Sequence, residues 1–240
     1  MLAAREVTVT GRLAAVSASC QPGQITAICG PNGAGKSSLL AALAGLLPPQ
    51  SGMVSLAGEP LSAMPPKARA QTIGYLPQAG EVAWNLSVAA LAGLGRLPHG
   101  DNAREPVERA LAAMDLAHLA KRPVARLSGG EKARALLARV LATQPRWILA
   151  DEPLAALDLA HQQALLGHLR VQAEAGTGVV MVLHDLSLAM NHADQVIVMQ
   201  GGKVREQGPP QRALSAEVIA QVWGLPARWL GEPGARALSL

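Results

Sequence analysis

Gly30-Pro31-Asn32-Gly33-Ala34-Gly35-Lys36-Ser37 constrains the fold of this 240-residue chain more than any other stretch. It has the form G-x-x-x-x-G-K-S, a phosphate-binding loop. Glycines let backbone N–H groups converge on a phosphate without Cβ obstruction. Lys36 places a positive charge against the β- and γ-phosphates, and Ser37 offers a hydroxyl to Mg²⁺. A helix beginning near Lys36 adds its positive dipole end. The flanks suit this setting: Ile25–Cys29 reads as a buried strand and Ser38–Ala44 as a helix with an apolar stripe. The loop therefore predicts an α/β chain with a parallel sheet.

Composition narrows the class further. Half the residues are hydrophobic, yet there is no Phe, one Tyr and four Trp, so Ala, Leu and Val must supply most of the core. The formal charge of +4 is scattered rather than blocked, which argues against a nucleic-acid footprint. Cys20 and Cys29 have no metal or redox spacing and read as buried free thiols of a reduced compartment. No secretory pattern opens the chain and no apolar run is long enough to span a bilayer, so work at a membrane is expected from its surface.

Along the chain, short strands fill residues 5–30, followed by the loop helix over 36–46, a strand at Met53–Gly58 and another at Thr72–Leu76. Residues 86–142 are Ala/Leu-rich and helical, broken near Pro98-His99-Gly100 and Arg122-Pro123. Strand and helix then alternate from 145 to 200, with a helix over about 159–174.

Two more constellations carry chemistry. Trp147–Ala150 is an apolar strand ending in Asp151-Glu152. Asp151 can hold Mg²⁺, and Glu152 can orient and deprotonate an attacking water. Leu127-Ser128-Gly129-Gly130-Glu131 pairs a helix-capping Ser with two glycines that admit a phosphate close to the backbone. It lies about 90 residues beyond the first loop. One compact nucleotide site has no need of two such loops, whereas two chains facing each other do.

Over about residues 5–210 the sequence resembles an ATP-binding-cassette (ABC) nucleotide-binding domain. Leu127–Glu131 matches the family signature, Gln78 the Q-loop, Ala156-Leu157-Asp158 the D-loop and His184 the switch histidine, all in family order. The resemblance implies a P-loop NTPase (RecA-like) core with an N-terminal antiparallel β subdomain, about residues 1–83 and 144–210. It also implies an inserted α-helical subdomain over about 84–143 and a C-terminal extension over about 211–240. It implies a head-to-tail homodimer in which ATP is held by Gly30, Pro31, Asn32, Gly33, Ala34, Gly35, Lys36, Ser37 and Ser38 of one subunit. Ser128, Gly129 and Gly130 of the other complete the pocket, and Asp158 crosses the interface. Glu152, His184, Gln78 and Lys36 are the expected catalytic set; Ser37, Gln78 and Asp151 are expected around Mg²⁺. The remaining histidines, His99, His118, His161, His168 and His192, read as surface or loop residues.

The pattern departs from the family in three places. Residues 5–29 contain no aromatic to stack on adenine, which leaves Val9 or Arg12 near the base and predicts weak base discrimination. Lys132-Ala133-Arg134 replaces the usual Gln after the signature, and Leu154 stands where a small hydroxyl residue is usual.

Tyr75–Gln78, Gly95–His99, Asp158–Gln162, His184–Ala189 and Glu217–Gly224 look most like ATPase subunits of iron-siderophore, haem and cobalamin importers. That subgroup implies a peripheral protein on the cytoplasmic face of the inner (plasma) membrane. It would pair with two transmembrane permease subunits and, through them, a periplasmic substrate-binding protein, with no nucleic acid. The segment after Gln78, with Trp84 and a helix over 86–97, is the candidate for docking the permease, a core anchor being the plain alternative for Trp84. An exporter subunit or a non-transport ABC ATPase is the alternative function. A GTPase is disfavoured by the lack of an N-K-x-D motif, and a small-molecule kinase has no use for a second phosphate loop.

Overall fold

Strands buried on both faces are apolar along nearly their whole length, and the inner strands of the central sheet follow that rule, with Thr26 a polar exception. The computed structural model describes residues 1–78, 86–155 and 157–240. Trp84 and Ala156 lie outside the described residues. The central sheet has the order β10-β9-β3-β8-β7-β6. Its strands are β3 (Ile25–Cys29), β6 (Ile73–Leu76), β7 (Trp147–Ala150), β8 (Gly178–Val182), β9 (Gln195–Gln200) and β10 (Lys203–Gly208). Five are parallel, and β10 returns antiparallel to β9.

Alternate residues of these strands feed two separate cores. Ala27, Cys29, Ile148, Ala150, Val179 and Met181 face one core, which the helical segment and the C-terminal part of the chain cover. Ile28, Leu149, Val180, Val182, Ile197 and Met199 face the other. That second core is closed by α1 (Lys36–Leu43) and by an antiparallel sheet of β1 (Leu2–Val9), β2 (Leu13–Cys20), β4 (Ser51–Leu56) and β5 (Glu59–Pro60). With Phe absent, one large ring does unusual packing work: Trp147, only 3% exposed, fills the space where Gly178 on the neighbouring strand would carry a Cβ.

Short helices connect these layers. After α2 (Pro66–Thr72) and β6 come α3 (Val88–Gly93), α4 (Arg104–Ala113) and α5 (Gly129–Ala142). The sequence reading extended α3 to residue 97. Gly93 and Gly95 instead end it in a 3₁₀ turn, Leu94–Arg96. The turn caps the C-terminus of α5, whose last carbonyls lack helical partners. Arg96 Nη1 donates to the Ala142 carbonyl at 2.9 Å, while its Nε and Nη2 grip Asp101 at 2.9 and 2.7 Å. His99 Nε2 sits 2.9 Å from the Thr143 carbonyl. His99 is therefore a structural partner of α5 rather than a plain loop residue.

The C-terminal region holds α6 (Leu159–Glu174), α7 (Leu186–His192), α8 (Pro210–Ala213) and α9 (Ala216–Trp223). A hairpin, β11 (Arg228–Leu230) with β12 (Ala237–Ser239), follows. It is pinned to α7, where Asn191 exchanges two hydrogen bonds with the Arg236 backbone (2.8 and 2.9 Å) and Ser187 Oγ accepts from Leu238 N (3.3 Å). Cys20 and Cys29 are free and buried, and burial pushes both thiols up to about 12. Among the described residues no helix is long and apolar enough to cross a membrane.

Candidate nucleotide site

Four adjacent parallel strands end side by side, and each delivers one element of the site from its carboxyl end, as open α/β sheets do. From β3 the chain enters the loop Gly30–Gly35, and Gly35 at φ 96° caps α1. From β6 it reaches Gln78, from β7 Asp151 and Glu152, and from β8 His184. These segments enclose a cleft of about 680 Å³. Residues 32–38, Gln78, Glu152, His184, Gly11 and Arg12 line it. Of the two residues expected near a base, Arg12 is at the cleft, whereas Val9 is buried in the second core. Gly11 was not foreseen. Its place at the β1–β2 turn depends on strand pairing that no local motif reports.

The loop is prepared for anions. Lys36 is buried, and its Nζ donates to the carbonyls of Gly30 at 2.9 Å and Pro31 at 3.0 Å. Burial lowers its pKa, against the pull of Glu152, Cys29 and Asp151 toward the charged form. Ser37 Oγ donates to Asp151 Oδ1 at 3.0 Å. Burial raises the Asp151 pKa, Ser37 opposing and Glu152 reinforcing the shift.

Glu152 stands at φ 50°, a left-handed conformation uncommon for a residue with a Cβ. Both of its carboxylate oxygens are engaged. Gln78 Nε2 donates to Oε2 at 2.6 Å, and His184 Nε2 lies 2.5 Å from Oε1. With Glu152 ionised, Nε2 of His184 carries the proton. Asp185, the next residue, caps α7 by accepting from Ser187 N and Leu188 N.

Ser128, Gly129 and Gly130 are not part of this cleft. They open α5, where a capping box closes the turn: Ser128 Oγ accepts from Glu131 N and Glu131 Oε2 accepts from Ser128 N. Gly129, with Lys132 and Ala133, borders a second groove that shares Gln78 and Glu152 with the cleft. Leu154, the departure noted above, is 4% exposed and belongs to the first core. Asp158 caps α6 by accepting from His161 N at 2.9 Å.

The ABC transporter family profile matches residues 13–155, more than half of the chain. The chain belongs to the ABC transporter family. The hemin import ATP-binding protein HmuV of Pseudomonas entomophila is 44% identical over 213 residues, which cover 85% of this chain and 84% of that protein. Among solved structures, an inward-facing transporter described as of metal-chelate type aligns with a TM-score of 0.84 at 25% identity, covering 99% of this chain and 95% of that one. A dimeric bacterial ABC transporter cassette aligns with a TM-score of 0.75 at 26% identity, covering 88% and 99%. This ABC cassette is an ATPase, and its architecture is the P-loop NTPase core with antiparallel β and helical parts that the motifs implied.

Proposed function

We propose that this ABC ATPase powers haem import, working as a head-to-tail dimer on the cytoplasmic face of the membrane beneath two permease subunits. The likeness to hemin import ATP-binding proteins supports haem over the siderophore and cobalamin readings. A binding protein would deliver the substrate, which never touches this chain. The observation that carries the dimer is the separation of two phosphate-binding turns: Gly30–Ser37 lines the cleft, whereas Ser128–Gly130 of the same chain does not. A second copy turned end to end supplies the missing turn.

In this reading Lys36 and the loop amides bind the β- and γ-phosphates. Glu152 accepts a proton from the water that attacks the γ-phosphorus. His184 orients Glu152 and reaches the γ-phosphate. Ser128 and the amides of Gly129 and Gly130 from the partner stabilise charge on the departing phosphoryl group. Asp158 crosses to the partner.

The residues also fit Mg²⁺. Ser37, which lines the cleft, hydrogen-bonds the buried Asp151 carboxylate, and among the described residues no Lys, Arg or His forms an ion pair with Asp151. Ser37, Gln78 and Asp151 would hold the ion or its waters, and when bound it neutralises phosphate charge. Gln78, joined to Glu152 on one side and to the following segment on the other, relays nucleotide state to the permease.

The test is ATPase activity as a function of protein concentration, alone and with the permease and haem-loaded binding protein. The reading expects activity to rise with dimer fraction, to be stimulated by haem delivery, and to vanish in Lys36→Ala with loss of nucleotide affinity. Full activity from a strict monomer would sink the shared site, and stimulation by another chelate but not haem would sink the substrate.

A further inference from the structure

His161 was read from sequence as a surface or loop residue; its side chain is 36% exposed, and it makes two contacts that this reading did not include. It lies in the first turn of α6 and joins three parts of the chain. Its backbone N–H and its Nδ1 both meet Asp158 Oδ1, at 2.9 and 2.6 Å, so Nδ1 carries the proton. Its ring occupies the space that a Cβ on Gly130 would need: Cδ2, Cγ and Nε2 all crowd that position. Gly130 is buried by this contact. Next to it, Gln162 Nε2 donates to the carbonyls of Leu154 (3.3 Å) and Leu157 (3.2 Å), holding the segment that leads from Glu152 to Asp158.

We propose that His161 is a positioning residue: it fastens the Asp158 turn and the Ser128–Gly130 turn of one chain into a single edge that meets the partner's nucleotide as one body. The physical case is direct. The Ser128–Gly130 turn opens α5, which packs with α3 and α4, whereas Asp158 opens α6, which packs on β3 and β8. Both helices also contribute to the first core, with α5 packing on β6 as well, and His161 adds a direct tie between their two N-terminal turns. A ring seated against a glycine Cα leaves no room for sliding, and the Asp158 hydrogen bond fixes the ring's rotation. Gly130 is thereby held to glycine by its own chain as well as by any phosphate.

The proposal rests on the shared-site reading above. Its test uses the full chain with Glu152→Gln to accumulate the closed dimer, and the otherwise unmodified chain for turnover. His161→Ala should lower kcat about tenfold or more and raise the protein concentration needed for ATP-driven dimerisation by a similar factor. Binding of a fluorescent ATP analogue to the monomer should stay within about twofold. His161→Asn, which keeps a donor for Asp158 but no ring, should fold and recover part of the kcat.

Unchanged kcat and dimerisation in His161→Ala overturn the proposal. So does a kcat loss matched by an equal loss of monomer affinity, or an Asn variant with full kcat, since it has no ring to seat against Gly130. If the Glu152→Gln chain with His161 intact fails to dimerise with ATP, the shared site itself falls and takes this proposal with it.

Discussion

Gln78 Nε2 and Glu152 Oε2 meet at 2.6 Å, joining the ends of β6 and β7 across the mouth of the cleft. His184 holds the other oxygen, so each carboxylate oxygen of Glu152 already accepts one bond and keeps one lone-pair direction for a water. Glu152→Gln should therefore slow phosphate release by about 100-fold or more while leaving nucleotide binding within about twofold. Sedimentation of that variant with ATP should reveal a persistent dimer. Fast turnover would remove Glu152 as the base.

Asp151 carries a testable sign. Its pKa is raised in the folded chain by burial, so the folded state holds a proton more readily than the unfolded one. Stability from this group is present below the ordinary carboxylate value and is lost as pH rises through the raised one. At neutral pH the ionised Asp151 is thus a cost to the nucleotide-free fold. Asp151→Asn should raise the nucleotide-free Tm by about 2–4 °C near pH 7, with the advantage fading under acid. The same change should abolish turnover and the thermal protection that Mg²⁺ and ATP confer. Calorimetry across pH checks both arms; a lower Tm at neutral pH would contradict the charge argument.

Arg12 lines the cleft, and it is the remaining candidate for the nucleobase contact expected from sequence. A guanidinium plane can stack on any purine, and it reads little of the base edge. ATP and GTP should accordingly bind within about tenfold of each other, and Arg12→Ala should weaken both by a similar factor, on the order of 1 kcal/mol. Competition between the two nucleotides for a fluorescent analogue measures this. A strong preference for ATP that survives Arg12→Ala would show that the base is read elsewhere.

Arg96 holds the end of α5 through the Ala142 carbonyl. Removing the guanidinium leaves that buried carbonyl without its donor, a penalty of about 1–3 kcal/mol. Arg96→Ala should lower Tm by several degrees in thermal melts, and Arg96→Lys should recover little because the bidentate grip on Asp101 needs a fork. A melt unchanged by Arg96→Ala would show that water replaces the cap.

Contiguous chemistry was legible in the sequence. Gly30–Ser37, Ser128–Glu131 and Asp151-Glu152 are local patterns whose spacing alone specifies strand, turn and helix start, and each element is found where the pattern placed it. The apolar runs of β3, β7 and β8 likewise reported two-sided burial. What could not be read depends on distant partners. Helix α2 has no buried residue, so its polar sequence carried no periodic signal. The β11–β12 hairpin is too short for alternation to register, and it is held by Asn191 and Ser187, which lie about 40 residues or more upstream. His161 drew no attention although its partner Asp158 is only three residues away, because its other contact is a glycine on another helix. The roles of Gly95–His99 were invisible for the same reason: a capping turn is defined by the helix it closes.

Trp147 and Gly178 have one further consequence, for descent rather than for chemistry. The indole leaves no volume for any larger residue at 178, and shrinking the indole alone would hollow out the strand that ends in Asp151. Either change made first passes through a worse protein. Lineages carrying this pair should hold both letters for long periods, then exchange them together, so ancestral reconstructions would find the two sites switching on the same branch.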